Sequence, residues 1–354
     1  MSKKIRVALI FGGRSAEHEI SLVSASAIHK NLDKDRFEVR SLYITRQGLW
    51  KVVEGPSTDI EALGQGQAFS FLPWEGRASG PELAADIYFP VLHGPYGEDG
   101  TVQGLLEMAG VPYVGAGVLG SALGMDKASA KSVLRDLGLP VVPWLTLREV
   151  DWKSDPGRFL RRVRRSLPLP LFVKPSNLGS SVGVTKVGRY DGLPAAFETA
   201  FRYDAVALVE KGISGRELEV SVLGNEAPQA SLPGEIIPSR DFYDYSDKYL
   251  DGKATLVVPA VLGPRTLARI KALAVATFKA LACSGMARVD FFLEKGTGRL
   301  YVNELNTIPG FTEISMFAKL WAVSGLPFPR LLERLIELGF ERHRARKVCV
   351  ERDR

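Results

Sequence analysis

The 354 residues, 45% hydrophobic and 24% charged, have the composition of a globular protein with room for two or three domains. No apolar run reaches about 18 residues, so no membrane span is expected, and Cys283 and Cys349 lack the number or spacing for a disulfide framework or a metal cluster, which fits a reducing cytoplasm. A formal charge of +6 suggests an anionic partner, but the basic clusters 158–165 and from Arg342 onward carry no interleaved aromatics and no zinc or RNA-binding signature. They read as a solvated helix face and a frayed terminus rather than a nucleic-acid surface, and anionic small ligands account for the sign.

Ile5 to Phe11 is a continuous apolar run, the mark of a buried parallel strand. Its basic start resembles a leader peptide, but the run is short and leads into a charged helix, so it reads as the first strand. Gly12-Gly13-Arg14-Ser15-Ala16 turns this strand into a helix reaching about Leu32, with Ile20, Val23, Ala27, Ile28 and Leu32 expected on its core side. A strand, glycine turn and helix in sequence offer backbone N–H groups to an anion. Glu17 in the first turn either complements the helix dipole or faces a ligand at the carboxyl edge of the sheet. Phe37 to Ile44 is the second strand. Residues 46–85 show no clear period.

Ile87 to Leu92 is a further buried strand. It exits through His93-Gly94-Pro95-Tyr96-Gly97-Glu98-Asp99-Gly100 into a helix over 101–109. His93 is either structural or a ligand residue at the strand exit. Residues 115–124 are glycine-rich, and Asp126 is an N-cap for a helix to Leu137. The β/α alternation up to this point predicts a doubly wound parallel sheet ending near residue 122.

The middle of the chain changes character. Leu171 to Pro175 is a strand ending in Lys174-Pro175. The Gly/Ser loop Ser176 to Gly183 follows, and a second strand runs from Val184 to Val187. A loop held between two strands is not a P-loop, but its hydroxyls and backbone N–H groups suit phosphate oxygens. The strand ending in Glu210-Lys211-Gly212-Ile213 carries either a nucleobase contact or a surface ion pair. Arg216 to Leu223 is a strand with Glu217 and Glu219 on one side. The run 242–249 (FYDYSDKY) has the aromatic and polar character of an ordered lid. Helices are expected over 264–282, 315–324 and 328–340.

The sharpest signal is the hairpin from Arg288 to Asn306. Arg288, Asp290 and Phe292 share one strand face; Lys295-Gly296-Thr297-Gly298 is the turn; Leu300, Val302, Glu304 and Asn306 are expected on one face of the return strand. A turn centred on Thr297 sets Asp290 opposite Glu304. Two carboxylates about 4 Å apart repel by on the order of 4 kcal/mol at an effective dielectric near 20. A hard divalent cation relieves that repulsion, with Asn306 as a third oxygen donor; an ordinary solvated hairpin with scattered acids is the alternative. The exit, Thr307 to Thr312, can present backbone N–H groups to an oxyanion.

Eight segments, GGRSAEHEISL, LHGPYGEDGTVQGLLE, GMDK, FVKPSNLGSSVGV, VEKGISGRELEV, FYDYSDKY, ARVD and NELNTIPG, resemble in content and order the D-alanine–D-alanine ligases of the ATP-grasp superfamily, across nearly the whole chain. The resemblance implies a three-domain ATP-grasp fold of the α/β and α+β classes. A Rossmann-like part (1–122) precedes a central part (123–213) and a C-terminal part (214–354), the last two being antiparallel-sheet domains that clasp ATP. It implies ATP-dependent synthesis of D-alanyl-D-alanine through an acyl phosphate, for peptidoglycan precursors in a bacterial cytoplasm.

By resemblance, Asp290, Glu304 and Asn306 carry two Mg²⁺ (or Mn²⁺) ions. Lys127, Lys174, Ser180 and Ser181 hold phosphates, with Lys248 approaching them. Glu210, Lys211 and Ile213 contact adenine, and Glu217 the ribose. Glu17 takes the first D-alanine's ammonium with His93 nearby. Arg288 and the Gly310 N–H form the oxyanion hole, Ser180, Tyr249 and Glu17 form a hydrogen-bonded set, and Ser315 approaches the second substrate's carboxylate. Tyr249, replaced in relatives that make the D-lactate ester, favours the dipeptide. The expected partners are D-alanine and ATP, with no nucleic acid and no membrane, in a homodimer. Ligation to D-lactate or D-serine, and a non-catalytic nucleotide- or nucleic-acid-binding role, are the alternatives.

Overall fold

The computed structural model describes residues 3–72, 77–78, 85–179, 181–238, 254–312 and 315–346. The first strand, β1 (Ile5–Gly12), is apolar on both faces because both faces are covered. Val7, Leu9 and Phe11 pack against Leu22, Ala25 and Ile28 of α1 (His18–Asn31), while Ala8 and Ile10 pack on the other side, in one cluster with Val102 and Leu106. Each such side chain contributes about 1.5–3 kcal/mol of burial free energy. Next come β2 (Phe37–Ile44), β3 (Trp50–Val53), α2 (Ile60–Gly64), β4 (Gln67–Ala68), the small ladder of β5 (Phe71–Leu72) and β6 (Arg77–Ala78), β7 (Ile87–Pro90) and α3 (Thr101–Met108). The sheet order is β4-β3-β2-β1-β7. β1 runs parallel to β2 and β7, whereas β3 and β4, from the stretch without a clear period, add an antiparallel edge.

Helix α1 departs from the expected facing. Its buried positions are His18, Ser21, Leu22, Ser24, Ala25 and Ile28, and Val23 is 44% exposed. The small polar residues go inward because each has a partner there. Ser21 Oγ accepts from Gly12 N and donates to Val91 O, and His18 Nδ1–H donates to Gly13 O at 2.7 Å while Nε2 accepts from Tyr43 OH. The strand-exit loops are thus tied to the helix that carries Glu17.

The glycine-rich stretch contains a helix, α4 (Val118–Met125), followed at once by α5 (Lys127–Asp136). Gly120 faces a close backbone and Gly124 close side chains. A Cβ at Gly120 would stand 2.6 Å from Ala282 O, and one at Gly124 2.9 Å from Thr307 Cγ2. These glycines therefore trade helix propensity for contact distance. Asp126 caps α5 through Ser129 N, as its sequence position suggests. The middle region adds β8 (Trp144–Arg148), α6 (Glu149–Ser154), α7 (Pro156–Ser166), β9 (Leu171–Pro175), β10 (Thr185–Val187), α8 (Leu193–Phe201) and β11 (Val206–Lys211) in an antiparallel sheet of order β10-β9-β11-β8. Leu171, Val173, Ala207 and Val209 point to α7 and α8, leaving Phe172, Lys174 and Glu210 on the opposite face.

The third sheet, order β15-β14-β12-β16-β17 with β13 beside β12, is built from β12 (Gly215–Gly224), β13 (Gln229–Ala230), β14 (Gly234–Ile237), β15 (Thr255–Val257), β16 (Gly285–Glu294) and β17 (Leu300–Asn306), with α9 (Pro264–Ala280) between β15 and β16. Leu218, Val220, Val222, Ala287, Val289 and Phe291 pack on Ile270, Ala274 and Phe278 of α9.

The hairpin β16–β17 corrects one expectation. Leu293 pairs with Leu300 and Phe291 with Val302, but Asp290 pairs with Glu304, so Asn303 is an extra residue in the return strand. One extra residue flips everything beyond it to the other face. Leu300, Val302 and Leu305 enter the core, whereas Glu304 and Asn306 join Asp290 on the opposite side. The turn is centred half a residue earlier than Thr297, and the bulge restores the Asp290–Glu304 pairing.

α10 (Met316–Val323) and α11 (Phe328–Ala345) complete the described chain. Arg342 is not part of a frayed terminus. That residue lies 3.9 Å from the Tyr113 ring centroid and donates to Glu107 Oε1 and Tyr113 O, because α11 returns to the first sheet. Arg346 also pairs with Glu107. Among the described residues no helix is long and apolar enough to cross a membrane.

Candidate active site between two sheets

The polar faces of the second and third sheets enclose a cleft lined by Lys127, Lys174, Ser181, Glu210, Lys211, Ile213, Glu217, Asp290 and Glu304 among the expected residues. Phe172, Leu178, Val182, Ile236 and Phe292 add an apolar lining that the sequence reading did not single out. A flat apolar slot with carboxylates and lysines at its ends suits a planar ring carrying an anionic tail.

At the β9–β11 end, Glu210 lies between two lysines. Lys174 Nζ is 2.8 Å from Oε2 and Lys131 Nζ is 3.1 Å from Oε1. Burial works against the charge of Glu210, but Lys131 and then Lys174 outweigh it and hold the carboxyl below the usual range. Lys211 pairs with Glu294 at 2.8 Å, at the rim.

At the hairpin end, three carboxylates stand in one cross-strand row: Glu219 on β12, Asp290 on β16 and Glu304 on β17. Arg288 holds two of them. Its Nε and Nη2 donate to Asp290 at 2.7 Å each, and Nε lies 3.1 Å from Glu219 Oε2. Burial opposes the guanidinium's charge, yet Asp290 and Glu219 keep its pKa well above the ordinary value. Lys127 Nζ is 3.7 Å from Glu304 and donates to Leu178 O at 2.6 Å, and Asn306 Nδ2 donates to Asp290 Oδ2. Among the described residues no cluster of three or more His, Cys, Asp and Glu side chains is arranged as a metal cage. Asp290, Glu304 and Asn306 still form a hard oxygen set, whose carboxylate row has more negative charge than Arg288 and Lys127 offset. A divalent cation completed by phosphate oxygens fits such a set.

A second group lies where the first sheet meets the hairpin exit. Glu17 precedes α1 by one residue, and its Oε2 lies 2.7 Å from where a Cβ would sit on Gly94 and 3.1 Å from the same position on Gly179. Only glycine leaves the two loops this close to the carboxylate. His93 is buried with both ring nitrogens engaged. Nδ1–H donates to Ile308 O, so Nε2 accepts from Ser24 Oγ, which in turn accepts from Phe311 N. Burial lowers its pKa, against the opposing pull of the Glu17 charge. His93 therefore braces the hairpin exit instead of presenting a free nitrogen.

Glu98, which the sequence reading passed over, accepts from Gly94 N and Ile308 N and is half-buried. Burial first, then the Glu17 charge, pushes its pKa up to about 8. Its signal in the sequence was its place in the glycine-rich strand exit beside His93. Gly310 and Ser315 come together across the next turn, where a Cβ on Gly310 would lie 3.7 Å from that of Ser315, and the buried Ser315 Oγ has no partner among the described residues. Ser180, Lys248 and Tyr249 fall outside the described residues.

Two family models match in tandem, described as "D-ala D-ala ligase N-terminus" over residues 6–116 and "D-ala D-ala ligase C-terminus" over residues 133–337. The chain belongs to the D-alanine–D-alanine ligase family. The D-alanine--D-alanine ligase of Solibacter usitatus is 51% identical over 345 residues, 98% of each chain, and that of Heliobacterium modesticaldum is 45% identical over 354 residues, 97% of each. Among solved structures, the D-alanine-D-alanine ligase of Coxiella burnetii aligns with a TM-score of 0.86 at 40% identity, covering 97% of this chain and 96% of that one. The VanG D-Ala:D-Ser ligase of Enterococcus faecalis also aligns at 0.86, with 35% identity over 95% of this chain and all of that one. The family uses ATP, which fits a slot with lysines and carboxylates at its ends.

Proposed function

We propose that this chain joins two D-alanine molecules at the expense of ATP, giving D-alanyl-D-alanine for peptidoglycan precursors in a bacterial cytoplasm. The observation that carries the reading is the agreement of full-length identity to D-alanine--D-alanine ligases with a cleft whose carboxylate row faces Arg288 and Lys127. A carboxylate resists attack by an amine because it lacks a leaving group. Transfer of the ATP γ-phosphoryl to one oxygen of the first D-alanine makes a mixed anhydride. The second D-alanine's amine then attacks the carbonyl, the carbon becomes tetrahedral, and phosphate departs with the C–O bond.

Each demand has a residue. In this reading Glu17 binds the first ammonium, and Arg288 with the Gly310 N–H stabilises the developing oxyanion. Lys127, Lys174, Ser180 and Ser181 hold phosphates, joined by Lys248. The Ser315 hydroxyl meets the second carboxylate, and Tyr249 joins Glu17 and Ser180 in orienting the first substrate. Glu210, Lys211 and Ile213 read adenine, and Glu217 the ribose. Asp290, Glu304 and Asn306 would hold Mg²⁺ or Mn²⁺, two ions in all, which neutralise phosphate charge. His93 serves through Ile308, by holding the turn that carries Gly310. The segments 1–122, 123–213 and 214–354 are the working units of this reading, and a homodimer its assembly.

Phosphate release from ATP with D-alanine, with L-alanine and with no amino acid tests it; release that is equal in all three removes the reading. Offering D-serine or D-lactate as second substrate distinguishes the dipeptide from the D-Ala:D-Ser activity named for the Enterococcus protein.

A further inference from the structure

Lys131 is 1% exposed and does not line the cleft, yet its ammonium lies 3.1 Å from a carboxylate that does. Burying a lysine is costly unless its charge is matched, and among the described residues Glu210 is the acid facing it; the Trp144 ring centroid lies 6.0 Å away. Lys131 stands one helical turn beyond Lys127 on α5, so the two project from one face about 6 Å apart along the axis. Lys127 reaches toward Glu304 at the hairpin end, and Lys131 reaches Glu210 at the other end. Helix α5 thus spans the back of the cleft with one lysine for each end.

The Glu210 carboxylate accepts hydrogen bonds only while it is ionised; once protonated it also donates. With Lys174 on one oxygen and Lys131 behind the other, it is held as an acceptor in the wall of the cleft. An acceptor there favours a purine with an amino group at position 6 and repels one with an oxygen. We propose that Lys131 is a positioning residue that fixes Glu210 as an acceptor and so makes this site select adenine over 6-oxopurine nucleotides. The inference rests on the proposed placement of ATP in this cleft and deepens it.

The test is calorimetric titration of the full chain, with Mg²⁺, against ADP and IDP, which differ in the group at position 6 and in the proton that the oxo form places on N1. The wild-type chain is expected to bind ADP about tenfold or more tighter than IDP, the scale of a hydrogen bond to a charged group. Lys131→Met is expected to bring that ratio close to one, chiefly by weakening ADP. In turnover, the loss falls on KM for ATP far more than on kcat, and Lys131→Arg restores part of the preference. Glu210→Gln, whose amide can turn to donate, lowers the ratio to the same extent and serves should Lys131→Met not fold. A wild-type ratio below twofold, or an undiminished ratio in either variant, overturns the inference. A wild-type chain that binds neither nucleotide overturns the proposed function along with it, whereas ADP binding without base preference defeats this inference alone.

Discussion

At one end of the cleft Glu210 lies between Lys131 and Lys174, each of the three under 10% exposed. At the other end Asp290 shares Arg288 with Glu219, and Lys127 Nζ lies 3.7 Å from Glu304. The first arrangement is sealed, with two lysines to one carboxylate before any ligand arrives. The second is negative and more open, and Arg288 divides its donors between Asp290 and Glu219. Fixed charge suits the recognition of an invariant base; charge that regroups suits a reaction in which charge moves from phosphate to acyl oxygen.

The contrast is most directly broken at the hairpin. Asp290→Asn is expected to lower kcat by about 10³-fold, reflecting several kcal/mol of lost charge stabilisation, with partial recovery at high Mg²⁺; turnover unchanged at limiting Mg²⁺ contradicts the metal assignment. Arg288→Lys keeps the charge but removes the fork that spans Asp290 and Glu219, and a fall of about 10²-fold in kcat is expected, read in single-turnover phosphate release. At the sealed end, Lys131→Met should cost only about tenfold, and in KM for ATP. A larger effect on kcat than on KM would show that the two ends do not divide the work in this way.

The smallest effect is on stability. Glu98 has a folded pKa of about 8 against an ordinary 4.5, so between those values the folded chain holds a proton that the unfolded chain has released. Stability therefore falls as pH rises through this window, by up to about 1.4 kcal/mol per pH unit. Glu98→Gln should flatten that slope in urea midpoints measured from pH 5 to pH 8; an identical slope shows that Glu98 is not the group responsible.

Much of this site was legible in the sequence, for reasons that differ by residue. Asp126 announced its helix by local chemistry, and the apolar strands by their runs. The Asp290–Glu304 pair was reached from a turn centred on Thr297, whereas the real turn and the Asn303 bulge are two offsets that cancel. The facing of Leu300 and Val302 was misread for the same reason, since a bulge has no signature in polarity. Helix α1 misled because Ser21 and Ser24 are buried through bonds to a strand exit far along the chain, and His18 through bonds to Gly13 and Tyr43. Lys131 was invisible because its partner is Glu210, beyond the reach of local periodicity. α4 was hidden by the very glycines that let it pack.

The helix Phe328–Ala345 supplies Leu331, Leu335, Ile336 and Leu338 to the same apolar cluster as Val7, Leu9 and Phe11. During synthesis, then, the earliest strand emerges hundreds of residues before the segment that shields one side of it. Until that segment leaves the ribosome, α1 alone covers that oily flank of the nascent sheet, and the interval is a window for chaperone capture or for aggregation.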